Sequence, residues 1–185
     1  IRNISEKFYS SKFFRYMPPT ILTKDINKIK IFYKKYKKIV IKPIHGYAGK
    51  GILFLNNTFK KKEISKLLHK NGHAMVQKFL PNVKKGDKRV FIINGKVCGA
   101  IRRIPSKNSI LSNISQGGTA VKTTLNSKQN KISSIIAKDL LKNKIYFAGI
   151  DFVSNYLIGD INVTSPTGLP PVSYTHLTLP TNSNV

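Results

Sequence analysis

Apolar residues recur along this chain with two different periods, and the alternation between them predicts mixed helical and strand structure. Spacings of three and four mark four helices. These cover residues 5–16 with Phe8 and Phe13 on the apolar face, 25–36 with Ile26, Ile29, Tyr33 and Tyr36, 59–71 with Ile64, Leu67 and Leu68, and 127–142 with Ile132, Ile135, Ile136 and Leu140. Ser5 and Ser127 are placed to cap the first and last helices, Met17, Pro18 and Pro19 stop the first, and Gly72 closes the third. Short apolar or alternating runs predict strands at 20–23, on both sides of the glycine loop in KIVIKPIHGYAGKGILFL, and in HAMVQKFL.

Two further hairpins follow from turn chemistry. Asn94 and Gly95 between alternating runs predict a type I′ turn. Antiparallel pairing about that turn lays Asp87, Lys88 and Arg89 beside Arg102 and Arg103, so Arg89 and Arg103 converge. Two guanidiniums at one spot suit a carboxylate and a phosphoryl group. The second hairpin, in AGIDFVSNYLIGDINVTSPTG (148–168), turns at Ser154 and Asn155 and carries Asp151 and Asp160 among apolar residues.

Charge makes that hairpin unusual. The 185 residues hold 33 Lys and Arg against 7 Asp and Glu, a formal net charge of +26, and two of those seven acids sit in one apolar ribbon. A carboxylate among strand residues is costly unless cations or donors compensate it. Either both acids pair with lysines at the sheet edge, or they form a shelf for a hard divalent ion. The basic excess by itself points to polyanions. The lysines nevertheless fall in short clusters (34, 35, 37, 38; 60 to 62; 84, 85) amid abundant Ile and Asn, which fits nucleotide bias in the coding DNA, and no arginine and aromatic platform for stacking bases is present. Specific nucleic-acid binding is not expected.

The length suffices for one domain or two small ones. No apolar run approaches membrane-spanning length, and Ile1 opens into a charged amphipathic segment rather than a secretory signal, as the middle of a protein would. One cysteine, Cys98, excludes an internal disulfide and fits a reducing cytoplasm; mid-strand, it reads as a small hydrophobe. The loop holding Gly46, Gly49 and Gly51 joins two strands rather than a strand and a helix, which excludes a P-loop and a dinucleotide fold.

INVTSPTG resembles, nearly letter for letter, the metal-binding signature of bacterial glutathione synthetases, a family of ATP-grasp ligases. The resemblance implies Mg²⁺, with Mn²⁺ as a substitute, on Asp151, Asp160 and Asn162. Asp160 stands where the family has Glu, and the first acid lies one residue farther from it. NISEKFYSSKFF resembles the family's entry into the ATP-grasp region, which makes Lys7 a phosphate ligand; without the resemblance Lys7 reads as a solvated helix lysine. By the same likeness Gly46, Gly49 and Gly51 form a flap over the phosphates, with Lys42 aimed at them, where otherwise they make a plain hairpin turn. Gln77, Lys78, Phe79 and Leu80 border the adenine, and Asp87 joins the nucleotide site. GDKRV and RIP match at Arg89, implied to hold the peptide carboxylate, and at Arg103, implied with Lys42 to stabilise the transferring phosphate. The polar loop SKNSILSNISQGG resembles the mobile loop that closes over the reaction, with Asn113, Gly117 and Gly118 near substrate and Leu111 where some relatives place arginine. Ser165 in TSPTG is a further implied substrate contact.

The fold implied is α+β, an ATP-grasp fold whose two subdomains, with antiparallel sheets and flanking helices, sandwich ATP. Residues 1–168 form the ATP-grasp region, with about 20–80 as the nucleotide-covering subdomain and about 81–168 as the catalytic one. The implied reaction joins γ-glutamylcysteine to glycine at the cost of ATP, releasing ADP, in a cytoplasmic enzyme whose full-length relatives are homo-oligomers and which needs no membrane. Another ATP-grasp carboxylate-amine ligase and a basic nucleic-acid-binding protein are the rival readings. The family's Rossmann-like domain is not found in these residues, and LPPVSYTHLTLPTNSNV (169–185) reads as an extraneous, disordered tail, so weak or no turnover is expected.

Overall fold

The computed structural model of the chain describes residues 6–45, 51–105 and 119–163, with the side chains of Glu6 and Asp160 outside that description. Among the described residues two antiparallel sheets form. The first contains β1 (Thr20–Thr23), β2 (Ile39–Pro43), β3 (Leu53–Leu55) and β4 (Ala74–Lys78) in the order β1-β4-β2-β3. The second contains β5 (Asp87–Ile93), β6 (Lys96–Ile104), β7 (Thr119–Thr123), β8 (Phe147–Val153) and β9 (Tyr156–Asn162) in the order β7-β6-β5-β8-β9.

Each sheet buries one face against helices. In the first, Ile39, Ile41, Ala74 and Val76 pack on Ile29 and Phe32 of α2 (Ile26–Tyr36) and on Ile64 and Leu67 of α3 (Lys61–Asn71). Asp25 caps α2 by accepting the Asn27 amide at 2.8 Å, and Gly72 ends α3 at φ +71°. In the second, Val90, Ile92, Ala148, Ile150 and Phe152 pack on Ile132, Ile136 and Leu140 of α4 (Ser127–Lys142). Strand side chains alternate between faces. The opposite faces therefore carry Lys42, Met75 and Gln77 in one sheet and Asp87, Arg89 and Asp151 in the other.

The hairpin turns are as the sequence predicts: Asn94 and Gly95 both take positive φ, +47° and +72°, and Ser154 and Asn155 join β8 to β9. Several local expectations are corrected. The first helix is one α-turn, α1 (Glu6–Tyr9), followed by a 3-10 helix (Ser10–Tyr16) with a kink at Phe13, and Phe8 faces solvent. Asn126, not Ser127, caps α4, because it exchanges hydrogen bonds with Gln129 in a capping box. Ile135 is half-buried rather than inward, and Cys98 lies on the exposed side of β6 rather than packing as a hydrophobe. A short 3-10 helix (Pro81–Lys85) and β7 were not foreseen. Among the described residues no helix is long and apolar enough to cross a membrane.

Candidate functional site

β5 is the centre of the site because it has a partner strand on each side. Asp87 lies opposite Arg103 of β6, and Arg89 lies opposite Asp151 of β8. All four side chains share one sheet face and are nearly inaccessible to water. Arg89 grips Asp151 with two parallel bonds, Nε to Oδ1 and Nη2 to Oδ2, both 2.8 Å. Arg103 donates through Nε to Asp87 Oδ1 at 2.6 Å and reaches Asp151 Oδ2 with Nη2 at 2.9 Å. Among the described residues, two cations and two anions thus meet in one buried cluster. Lysine pairing does not describe Asp151; its charged partners among the described residues are the two arginines.

The electrostatics follow from this enclosure. Burial by itself would raise the Asp151 pKa, but the charges of Arg103 and then Arg89, with their hydrogen bonds, hold it well below the usual carboxylate range. Burial likewise disfavours the charge on Arg103, and Asp151 and Asp87 override it, raising its pKa above the ordinary arginine value. Both groups are therefore ionised. Gly86, at φ +94°, admits the close approach that builds the cluster: a Cβ there would lie 2.2 Å from the Arg103 carbonyl oxygen.

Asp151 also faces an irregularity in β9. Ile150 pairs with Ile161 and Phe152 with Leu157, so Ile158, Gly159 and the backbone of Asp160 lie opposite Asp151 alone. A bulge of this kind bends the strand and re-aims its side chains. It touches the other sheet. Lys42 of β2, buried in that sheet's free face, donates from Nζ to the Ile158 carbonyl at 2.6 Å. A Cβ on Gly159 would stand 2.6 Å from Met75 Sδ and 3.4 Å from Gln77 Nε2 of β4. The free faces of the two sheets therefore meet at the bulge, with Lys42 on one side and Asp151 on the other.

Asn162 completes the described part of the site. Its Nδ2 donates to Gly149 O at 3.2 Å and toward Asp151 Oδ2 at 3.4 Å, which leaves the amide oxygen as the end of the side chain available to a cation. An ionised carboxylate and an amide oxygen are hard donors of the kind Mg²⁺ takes. No cluster of three or more His, Cys, Asp or Glu occurs among the described residues, the Asp160 side chain lying outside them.

Other expected site residues are placed as follows. Lys7 is 7% exposed and not a solvated helix lysine. Gln77 is buried and donates to Thr20 Oγ1 at 3.0 Å; Phe79 is buried against Phe54, ring centroids 4.5 Å apart; Leu80 is half-buried and Lys78 exposed. Gly51 takes φ +73° at the edge of β3. Gly46, Gly49, Leu111, Asn113, Gly117, Gly118, Ser165 and the 169–185 tail lie outside the described residues. Sequence reasoning missed Ser10, which is fully buried with its hydroxyl against the bulge, 2.9 Å from Gly159 O.

The sequence profile of the family described as prokaryotic glutathione synthetase, ATP-grasp domain, matches residues 6–176, reaching past Gly168 where the resemblance was expected to end. A glutathione synthetase of Synechocystis sp. is 39% identical over 173 residues, covering 91% of this chain and 53% of the relative. One from Mesorhizobium japonicum is 36% identical over 177 residues, covering 93% and 56%. The chain thus spans about half the length of these curated relatives. Among solved structures, D-cycloserine synthetase DcsG superposes with a TM-score of 0.69 at 12% identity, over 93% of this chain and 65% of that one. The D-alanine–D-alanine ligase of Bacillus anthracis gives 0.63 at 16% identity, over 91% and 60%. At these identities the likeness speaks for the ATP-grasp fold alone.

Proposed function

Because the chain belongs to the prokaryotic glutathione synthetase ATP-grasp family, we propose that it works in an ADP-forming ligase joining γ-glutamylcysteine to glycine. The γ-phosphoryl group of ATP passes to the cysteinyl carboxylate, and the amine of glycine attacks the activated carbonyl and expels phosphate. The observation that carries this reading is the convergence of Arg89 and Arg103 on Asp151, opposite the bulge that Lys42 reaches from the other sheet.

The roles of the residues follow from the family resemblance. Lys42 and Lys7 bind nucleotide phosphates, and Gly46, Gly49 and Gly51 contribute to the same binding. Gln77, Lys78, Phe79 and Leu80 border the base. Arg103, aimed by Asp87, steadies charge on the transferring phosphoryl group, and Arg89 orients the peptide carboxylate. A guanidinium carries five N–H donors, and among the described residues Asp87 engages Arg103 through Nε and Asp151 through Nη2. Mg²⁺, or Mn²⁺ in its place, would be held by Asp151, Asp160 and Asn162 and would supply neutralisation of triphosphate charge when bound. Asn113, Gly117, Gly118 and Ser165 complete the substrate side. The free, exposed Cys98 fits a reducing cytoplasm.

ADP release from MgATP tests the proposal. Release that requires both γ-glutamylcysteine and glycine is expected; release with D-alanine in place of both substrates would instead support a different carboxylate-amine ligase.

A further inference from the structure

Two consecutive peptide groups of the β9 bulge are held by donors from outside the second sheet. The carbonyl of the 158–159 peptide accepts from Lys42 Nζ at 2.6 Å. The carbonyl of the 159–160 peptide lies 2.9 Å from the hydroxyl of Ser10, which has no solvent exposure. That second peptide plane also contains the amide nitrogen of Asp160. Whatever fixes the Gly159 carbonyl therefore fixes the direction in which the backbone enters Asp160.

Ser10 stands where α1 passes into the 3-10 helix, and its Oγ is also 2.6 Å from the Lys7 carbonyl. One hydroxyl proton serves two carbonyl oxygens, one at a time. A serine bonded back to the carbonyl three residues earlier is ordinary helix chemistry. Contact with a strand 149 residues away in sequence is not. The bulge has little other freedom: Gly159 sits at φ +89°, and Met75 Sδ fills the space a Cβ would need.

We propose that Ser10 is a positioning residue for metal-dependent nucleotide binding. It joins the turn bearing Lys7 to the bulge bearing Asp160, so that the phosphate-binding lysine and the metal-binding strand are set in one register. This rests on the reading of Asp151, Asp160 and Asn162 as the metal site given above. A purely structural serine would affect stability and ATP binding alike, whereas a positioning serine acts on the part of ATP affinity that magnesium adds.

Calorimetric titration with ATP, in Mg²⁺ and separately in EDTA, distinguishes these cases. The wild-type chain is expected to bind ATP more tightly in Mg²⁺. Ser10→Ala should lose about tenfold of that gain, the scale on which groups supporting a metal ligand tune its affinity, while its affinity in EDTA falls by less than this. Ser10→Thr, which keeps the hydroxyl, should recover the gain. If Ser10→Ala shows no cooperative melt, Ser10→Cys carries the test with similar volume and a weaker donor, and an intermediate loss is expected. A magnesium gain in wild type that Ser10→Ala or its cysteine replacement keeps in full overturns the role of Ser10 and leaves the metal site standing. Absence of any magnesium gain in wild type overturns the metal site and this inference together.

Discussion

Arg103 and Asp151 touch, Nη2 to Oδ2 at 2.9 Å, although the strands that carry them are separated by β5. The contact crosses over the Asp87 and Arg89 positions, so one guanidinium ties three strands together. Removing one member of such a buried pair strands its partner's charge without solvent, which typically costs about 3–5 kcal/mol. Asp151→Ala is expected to lose stability on that scale in urea unfolding. Arg103→Lys should lose most of what is lost by Arg103→Met, because a single ammonium cannot repeat the fork that serves Asp87 and Asp151 together. Full retention of stability by Arg103→Lys would show that charge alone suffices.

Acid sensitivity follows from the depressed Asp151 pKa. A carboxyl whose folded pKa lies below its unfolded value contributes stability above the unfolded pKa, about 3.9 for Asp, and loses it as pH falls toward the folded value. Urea midpoints of wild type and Asp151→Asn should therefore differ by a constant amount between about pH 5 and 8, then converge below about pH 4. A gap that closes already near neutrality would mean another group governs the difference.

The local parts of this cluster were legible in the sequence and the distant parts were not. Asn94 and Gly95 fixed the β5 to β6 turn, but the turn alone would set Asp87 opposite Arg102; a bulge between Phe91 and Ile92 shifts the register by one and brings Arg103 opposite Asp87. Arg89 and Asp151 are 62 residues apart, and no periodicity or turn signal reports that β8 lies beside β5. Lysine pairing is therefore the natural reading of the stranded acid from sequence, whereas the compensating charges are arginines. The α4 cap was legible but misread, since Asn126 followed by Gln129 is itself a capping signature. β7 left no comparable trace, because its residues are exposed or half-buried and show no apolar alternation.

Tyr9 offers a second pH test with the opposite sign. Its hydroxyl donates to Asp139 Oδ2 at 2.5 Å, joining α1 to α4. Burial, and then the hydrogen bond to the Asp139 carboxyl, push the phenol above its ordinary pKa. A group whose folded pKa is raised contributes stability below its unfolded value, about 10 for Tyr, and loses it as pH rises through the folded one. Tyr9→Phe should cost about 1–2 kcal/mol at pH 7, and the deficit should shrink above about pH 10. A deficit that persists unchanged at high pH would place the effect in packing rather than in the hydroxyl.

Lys42 separates structural from ligand-binding roles most directly. Its ammonium rests on the Ile158 carbonyl at 2.6 Å, at the meeting of the two free sheet faces. On the proposed reading, this ammonium is a positive charge that the first sheet offers to a triphosphate. Lys42→Met keeps the length of the side chain and removes the charge. Since a hydrogen bond to a charged group contributes about 1.5–3 kcal/mol, ATP affinity should fall about tenfold to a hundredfold. Lys42→Arg, which retains charge but not the point geometry, should fall between the two. Calorimetry on the three proteins at fixed Mg²⁺ reads this directly. Equal affinities would remove Lys42 from the nucleotide site, leaving its contact with β9 as a tether between the sheets.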